Sequence, residues 1–159
     1  MVQKLVLPLY PRMDKEILYN FIDVEIPDFN PEFFSLWVNG IIVDHKFELG
    51  ELSYVFCSDE YLLQMNKEHL NHDYYTDIIT FNYNLDFSLS GDLFISYDRI
   101  IDNADTLGVS IFDELCRVMI HGVLHLIGYN DKTDKGQLEM TRLEEECLVK
   151  RKSSTRNII

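Results

Sequence analysis

A chain of 159 residues, 47% of them hydrophobic, is long enough for one domain with a sizeable core and too apolar to be disordered throughout. No apolar run approaches the roughly 20 residues that a membrane-spanning helix needs, so we expect a soluble globular protein. With 27 acidic against 14 basic residues, the formal charge of −13 argues against broad, nonspecific binding to a nucleic-acid backbone.

The N-terminal residues 1–12 are apolar but short, and they lack the small-residue cleavage site of a secretory signal. Met13 begins a plausible sequence of its own, so residues 1–12 are either an upstream extension or a cloning remnant. No linker or internal repeat divides the chain after Met13. We therefore expect a single domain over residues 13–152 and a polar C-terminal tail over residues 153–159.

The first predicted helix begins with Asn30 as N-cap and Pro31 at the first helical position, and it runs to about Lys46. Gly50 is expected to break the chain after this helix. Residues 52–57 then predict a buried strand, because they are apolar, aromatic and β-branched.

A second helix is predicted from Ser58 to near Leu70, because Ser58 can cap it and two acidic residues follow. The next segments alternate between loop and strand. They are a loop over residues 71–75, a strand over 76–83, a loop over 84–91 and a short strand over 92–96.

A third helix is predicted over residues 97–107 and ends at Gly108. The fourth begins at Ser110, with Asp113 completing a sequence that resembles a capping box, and should stop at Gly128. A fifth, over about residues 133–151, is expected to turn its apolar side chains inward, namely Leu138, Met140, Leu143 and Cys147. The order of elements predicts an α+β fold, a small mixed sheet of about four strands packed with about five helices.

The three cysteines, Cys57, Cys116 and Cys147, are far apart and odd in number, so they form neither a disulfide framework nor a CxxC site. This usage fits a reducing, cytoplasmic location. We expect each thiol to be a small buried hydrophobic group.

The C-terminal region carries the clearest candidate for a local basic patch, and a solvated chain end is the simpler interpretation. Its members are Lys150, Arg151, Lys152 and Arg156.

The most informative stretch is HGVLHLIGYND, residues 121–131, on the helix expected to end near Ile127. Residues four apart on a helix project in the same direction, so His121 and His125 can share one ion. Gly128 can turn the chain and bring Asp131 back beneath the two rings. Three ligands from one short segment, with a fourth position open to water, are a common form of catalytic zinc site.

The spacing H-x3-H-x2-G-x2-D matches that of the metzincin proteases, H-E-x-x-H-x-x-G-x-x-H. Gly122 breaks the match, because it stands where a metalloprotease carries its glutamate general base. The spacing therefore favours a metal site without peptide hydrolysis.

A simpler interpretation of two histidines four residues apart is a pair of hydrogen-bonded core side chains; the glycine and aspartate at the right offsets favour metal binding. Glu114 and Arg117 lie about two turns and one turn before His121 on nearly the same face. They either fix the imidazole orientation or form an ordinary salt bridge on a solvated edge.

HGVLHLIGYND resembles the H-G-x-L-H-L-x-G-Y-D-H signature of the YbeY-like endoribonucleases, bacterial rRNA maturation factors. The resemblance covers roughly residues 50–145. It extends to Asn66, Thr76-Asp77-Ile78 with Phe81, Gly91-Asp92-Leu93 and Glu114.

This resemblance implies a zinc-dependent endoribonuclease that prefers single-stranded RNA. Family members act in rRNA processing, notably at the 3′ end of the small-subunit rRNA, and in ribosome quality control. The implied partners are single-stranded rRNA and the ribosome or its small subunit. The implied ligands of one Zn²⁺ ion are His121, His125 and the residue at position 131.

Two positions depart from the family pattern. Asp131 replaces a histidine, and its negative charge should make a zinc-bound water a weaker acid. Leu70 stands where the family usually has an arginine that is thought to help bind or cleave RNA, and a leucine cannot contact phosphate.

The implied mechanism is that zinc activates a water and polarises the scissile phosphate. The sequence leaves the general base open. It could be a group near the ligands, the metal hydroxide or the RNA 2′-OH. Asp77 is a weak candidate, because an aspartate there is more simply expected to cap the start of the strand or to hydrogen-bond the loop.

Four residues of the neighbouring segment each have two interpretations, an RNA contact or an ordinary structural position. They are His69 and His72, as groove residues or surface residues, and Tyr74 and Tyr75, as stacking groups or as rings packed on the sheet.

Two other functions stay open. One is a noncatalytic ribosome-binding module with a structural metal, which would need a fourth protein ligand. Cys116 points away from the histidine face, whereas Cys147 could reach. The other is a metallohydrolase with a different substrate. The acidic charge suggests that the ribosome or a protein partner positions the enzyme, which predicts weak activity on isolated RNA.

Overall fold

The computed structural model describes residues 15–152 and has an α+β fold, as predicted, with four strands and five helices in this part of the chain. Residues 1–12, the tail over 153–159 and Arg156 lie outside the described residues. In chain order the elements are β1 (Leu18–Ile22), α1 (Pro31–Asp44), β2 (Glu48–Cys57), α2 (Asp59–Leu70), β3 (Ile78–Asn82), β4 (Ser88–Ser96), α3 (Tyr97–Leu107), α4 (Ile111–Ile127) and α5 (Asp134–Val149).

The four strands form one mixed sheet in the order β1-β2-β4-β3. The first three of these strands are mutually parallel, with Leu18 opposite Ser53 and Tyr54 opposite Leu93. The edge strand β3 runs antiparallel to β4, with Thr80 opposite Leu93. The residues that flank β3 lie beside β4: the Asp77 carbonyl accepts from Ser96 N–H at 2.9 Å, and Asn84 Oδ1 accepts from Ser90 N–H at 2.8 Å.

All five helices of this part of the chain begin at or next to the residues that the sequence predicts. The side chains of Asn30, Ser58, Ser110 and Thr133 each accept a hydrogen bond from the backbone N–H three residues later, at 3.0 to 3.2 Å. The predicted capping box at Ser110 forms only in part. Asp113 N–H donates to the Ser110 hydroxyl as expected, but the Asp113 carboxylate pairs with Arg151 at 2.9 Å.

The strand predictions were less accurate. Strand β1 was not placed, Gly50 lies inside β2 and does not break the chain, and β4 begins four residues before the predicted residue 92. Gly50 sits at a register shift between Leu49 and Leu52, packed directly against Ser90, so a side chain would not fit there. Gly50, which was predicted to break the chain, is therefore required by a close contact inside the sheet.

The main core lies between one face of the sheet and helices α1, α4 and α5. A smaller cluster on the other face joins Leu62 of α2 to Cys57 and Ile79. Trp37 in α1 donates a 2.8 Å hydrogen bond from Nε1 to the carbonyl oxygen of Cys147, which ties α1 to α5.

The prediction that Leu138 lies on the inner side of α5 was wrong, because 75% of the residue is exposed. Leu138 precedes the buried Met140 by two residues, which is about 200° around a helix. The buried face of α5 is Met140, Leu143, Glu144 and Cys147.

All three cysteines are buried and free, as predicted. Burial raises the pKa of Cys57 to about 12 and that of Cys116 and Cys147 to about 11, so the thiols stay protonated. Among the described residues, no helix has both the length and the apolar character that a membrane crossing requires.

Candidate metal centre

The two histidines of the site are presented by α4, the helix that packs most deeply against the sheet. Gly122 faces the sheet, and a Cβ built on it would lie 2.7 Å from Cδ1 of Ile78 and 3.1 Å from Cδ1 of Leu93. Tyr54 of β2 fixes the same helix from below by donating a 2.9 Å hydrogen bond to the carbonyl oxygen of Met119. This packing places His121 and His125 on a side that is partly open, with 17% and 25% of their side chains exposed.

The end of α4 is closed by side chains from the region after β3. Asn84 donates from Nδ2 to the carbonyl oxygen of Leu126 at 2.7 Å, which satisfies a carbonyl that a helix end leaves free. Gly128 then has φ 128°, in the region that favours glycine, and Tyr129 N–H returns to the Leu124 carbonyl at 3.1 Å. This turn carries the chain back toward the histidines.

The structure brings together the three residues predicted as metal ligands. One ligand atom from each of His121, His125 and Asp131 lies within 4.8 Å of the others. The two imidazole Nε2 atoms are 2.9 Å apart. Oδ2 of Asp131 lies 3.6 Å from Nε2 of His121, and Oδ1 of Asp131 lies 3.8 Å from Nε2 of His125. The Asp131 side chain is 42% exposed, so the cluster opens to solvent on its side.

The hydrogen bonds of the two rings fit a cation at this position. His125 Nδ1 lies 3.0 Å from the carbonyl oxygen of Tyr129, and His121 Nδ1 lies 2.6 Å from a carboxylate oxygen of Glu144. A carbonyl and a carboxylate only accept, so these contacts favour the neutral tautomers that carry the proton on Nδ1. Two proton-free Nε2 atoms and a carboxylate then converge on one point, a donor set that could hold a metal ion.

Glu144 contacts the candidate site from a second helix, and the sequence interpretation missed it. It lies on α5, 23 positions after His121, and is only 6% exposed. A signal was present, because Glu144 is the one charged residue on the buried face of α5. A charged group on an otherwise apolar helix face indicates a specific partner.

Glu114 and Arg117 do not form a salt bridge on a solvated edge, because Glu114 is 1% exposed. Arg117 donates two hydrogen bonds to the Glu114 carboxylate, from Nε at 2.7 Å and from Nη2 at 2.5 Å. It donates a third from Nη1 to Glu144 at 3.3 Å. Through Glu144, this chain of contacts ends on His121. The burial of Glu114 excludes the salt bridge on a solvated edge, and an effect of this pair on the imidazole orientation stays a prediction.

Asp77 lies directly before β3 and is partly buried beside the site. Nδ2 of Asn103 lies 3.4 Å from a carboxylate oxygen of Asp77 and 3.5 Å from one of Glu114, so Asn103 links these two side chains. Burial raises the pKa of Asp77 above its ordinary value of 3.8, although the charges of Arg117 and His121 oppose the shift. Its backbone also holds the strand start, because the Asp77 carbonyl accepts from Ser96 N–H at 2.9 Å.

The loop before Asp77 carries two aromatic rings, Tyr74 and Tyr75, that are about half exposed. Tyr74, 55% exposed, stacks on His72 with ring centroids 5.1 Å apart. Tyr75 is 50% exposed and donates its hydroxyl to Glu60 at 2.6 Å. His69 meets the edge of Phe81, and neither it nor the half-exposed Leu70 is part of the metal cluster.

Two further predicted features fall outside the cluster. The ligand group found among residues 15–152 contains His121, His125 and Asp131 and does not include Cys147. The basic patch is largely neutralised in the part that the structure describes, since Lys150 pairs with Asp44 at 3.0 Å and Arg151 with Asp113 at 2.9 Å.

Two curated relatives cover most of this chain. The Endoribonuclease YbeY of Bacteroides thetaiotaomicron is 44% identical over 135 residues, covering 85% of this chain and 98% of the relative. The Endoribonuclease YbeY of Cytophaga hutchinsonii is 54% identical over 112 residues, covering 70% of this chain and 78% of the relative.

A solution structure of a Thermotoga maritima protein shares the fold, with a TM-score of 0.61 over 88% of this chain and 93% of that protein at 19% identity. The family model described as Endoribonuclease YbeY matches residues 25–152. With most of the chain matched by the family model and by relatives of nearly full length, this protein belongs to the Endoribonuclease YbeY family.

Proposed function

We propose that this protein is a zinc-dependent endoribonuclease that cleaves single-stranded rRNA, with a role in small-subunit 3′-end maturation and ribosome quality control. Family membership supports cleavage of RNA. The convergence of His121, His125 and Asp131 is the observation that carries the metal dependence. The domain that performs this function is proposed to span residues 13–152.

In this proposal the ligands of one Zn²⁺ ion are Nε2 of His121, Nε2 of His125 and a carboxylate oxygen of Asp131. Zinc held by three protein ligands supplies positive charge that polarises a phosphate oxygen and acidifies a water. The exposed side of Asp131 leaves room for a phosphodiester to approach. Asp131 replaces the family's histidine and keeps the number of ligands while lowering the net charge of the site.

Proton transfer needs a group other than residue 122, because Gly122 has no side chain. Asp77 is the proposed candidate, since its carboxyl group is close enough to His121 for their charges to interact. Its raised pKa, caused first by burial, brings proton uptake and release closer to neutral pH than for an ordinary aspartate.

Binding of the RNA strand is proposed to rely on stacking more than on charge. The His72–Tyr74 pair offers an exposed aromatic face on the loop that leads into Asp77. Leu70 cannot contact phosphate, and the neighbouring Lys67 is paired with Asp73 at 3.3 Å. With a net charge of −13, the protein is proposed to depend on the ribosome, in the cytoplasm, for positioning on its substrate.

The test is cleavage of a single-stranded rRNA fragment by the purified protein, with the metal content measured in parallel. His125→Ala should lose both bound zinc and cleavage while its circular dichroism stays unchanged. His45→Ala is the matched control, because His45 bonds the Ile41 carbonyl at the end of α1 and lies outside the cluster.

The rival functions predict different results. A zinc ion with four protein ligands and no cleavage would replace the enzyme by a module with a structural metal. Zinc with an open position and no cleavage of any RNA would indicate a metallohydrolase with another substrate.

A further inference from the structure

The Glu144 carboxylate uses its two oxygens for two different partners. Oε2 lies 2.6 Å from Nδ1 of His121, and Oε1 accepts from Nη1 of Arg117 at 3.3 Å. With both oxygens engaged, the plane of the carboxylate is fixed. The direction of its contact with the imidazole is therefore fixed as well.

Arg117 is in turn held in place by a residue that cannot easily move. Glu114 is 1% exposed and takes two hydrogen bonds from the Arg117 guanidinium, one on each oxygen. A bidentate arginine–carboxylate pair is both strong and geometrically specific. Glu114 and Arg117 lie on α4 and Glu144 on α5, so the chain of charges bridges the two helices.

A buried carboxylate such as Glu144 costs folding free energy unless it is paired, and Arg117 provides the pairing. An ion pair alone would need no contact with a histidine. The contact with His121 has a separate chemical consequence: the carboxylate accepts the Nδ1 proton, which leaves the Nε2 lone pair free. That lone pair points to Nε2 of His125, 2.9 Å away.

We propose that Glu144 is a positioning residue for the metal site: it holds His121 in the Nδ1–H tautomer and in the ring orientation that presents Nε2 to the ion, and Arg117, clamped by Glu114, holds Glu144. This inference rests on the proposed metal function. It adds a residue from a second helix to a site whose ligands all lie between positions 121 and 131.

The test uses the full chain and two variants, Glu144→Gln and Glu145→Gln. Both remove one negative charge from α5, but Glu145 is exposed, so it is the matched control. The tautomer of His121 is read from long-range ¹H–¹⁵N correlations in the metal-free protein. Zinc affinity is read by competition with a chromophoric chelator.

We expect the wild-type protein and Glu145→Gln to show the Nδ1–H tautomer of His121. Glu144→Gln should show a mixture of tautomers, because the glutamine amide can donate as well as accept. Its zinc affinity should fall about 10- to 100-fold, the usual effect of losing a partner behind a metal ligand.

Equal tautomers and equal zinc affinities in the two variants would overturn the inference. If Glu144→Gln does not fold, the wild-type spectrum decides, since a dominant Nε2–H tautomer of His121 would also overturn it. Failure of the proposed function gives a different result: wild-type protein that binds no zinc, whatever the tautomer of His121.

Discussion

The Nε2 atoms of His121 and His125 lie 2.9 Å apart, and Nδ1 of each ring lies within 3.0 Å of another acceptor oxygen. Two neutral imidazoles in this arrangement turn lone pairs toward each other. Asp131 adds a carboxylate at 3.6 to 3.8 Å. These three side chains therefore form a donor set that could hold a positive ion.

Asp131→Ala should weaken zinc binding by more than the roughly 10- to 100-fold expected for a residue behind a ligand, because it removes a ligand itself. Asp131→His should restore binding and move the pH profile of RNA cleavage to lower pH, since a neutral ligand leaves more positive charge on the ion. Asp134→Ala is the control, an exposed aspartate with the same charge change. Equal zinc affinity in Asp131→Ala and Asp134→Ala would exclude Asp131 as a ligand.

The metal-free protein should lose stability as the pH falls below about 6.5, partly through His125. Burial, and then the charge of His121, lowers the pKa of His125 below 6.5 in the folded state. At a pH between 6.5 and that lower pKa, His125 binds a proton in the unfolded chain but not in the folded protein. Unfolding therefore becomes more favourable as the pH falls through this range. His125→Gln should therefore show a smaller drop in Tm between about pH 7.5 and 5.5 than the wild type. An identical drop in both proteins would contradict this account.

How far the sequence predicts the structure depends on whether the signal is local. The helix starts were predicted correctly because the side chains of Ser58 and Ser110 accept hydrogen bonds from backbone N–H groups only three residues later. Strand β1 was missed because Leu18 and Phe21 are exposed on this edge strand and Asn20 interrupts the apolar pattern, so its alternation is weak.

The same reasoning explains the candidate site. His121, His125 and Asp131 fall within eleven residues, so helix geometry and one glycine turn bring them together. Glu144 reaches His121 only because α5 folds back on α4, and a contact of this kind depends on tertiary packing. Asp77 and Asn103 likewise approach Glu114 only in the folded chain.

Gly122→Glu, the change that would recreate the protease pattern, should destabilise the fold by at least about 3 kcal/mol, because the new side chain meets Ile78 and Leu93 in the core. Gly40→Glu is the matched control: Gly40 is exposed in α1 with nothing within 4 Å of a built Cβ, so stability should rise by about 0.5 kcal/mol. Urea denaturation measures both. Similar free energies of unfolding for the two variants would show that α4 has room at position 122.

Tyr74→Ala should raise KM for a single-stranded RNA substrate about 5- to 150-fold with little change in kcat, because one stacked base contributes about 1–3 kcal/mol. Tyr74→Phe keeps the ring and should behave like the wild type. Phe87→Ala, which removes another exposed aromatic ring, is the control for a general loss of apolar surface. An unchanged KM in Tyr74→Ala would remove this loop from the RNA-binding surface.

Binding to isolated RNA should be weaker than about 1 µM at physiological salt, because the net charge of −13 opposes the phosphate backbone. Fluorescence anisotropy with a labelled single-stranded rRNA fragment measures this directly. Tight nanomolar binding to naked RNA would contradict the proposed dependence on the ribosome for positioning.

The contact between Glu144 and His121 also has a consequence for the moment at which the protein becomes active. Synthesis proceeds from the N-terminus, so the ligands at 121, 125 and 131 are made before residue 144. Until α5 has emerged and docked, His121 lacks the acceptor that selects its tautomer. On the proposed role of Glu144, a chain made only as far as residue 131 holds every proposed ligand and still lacks the contact that positions His121.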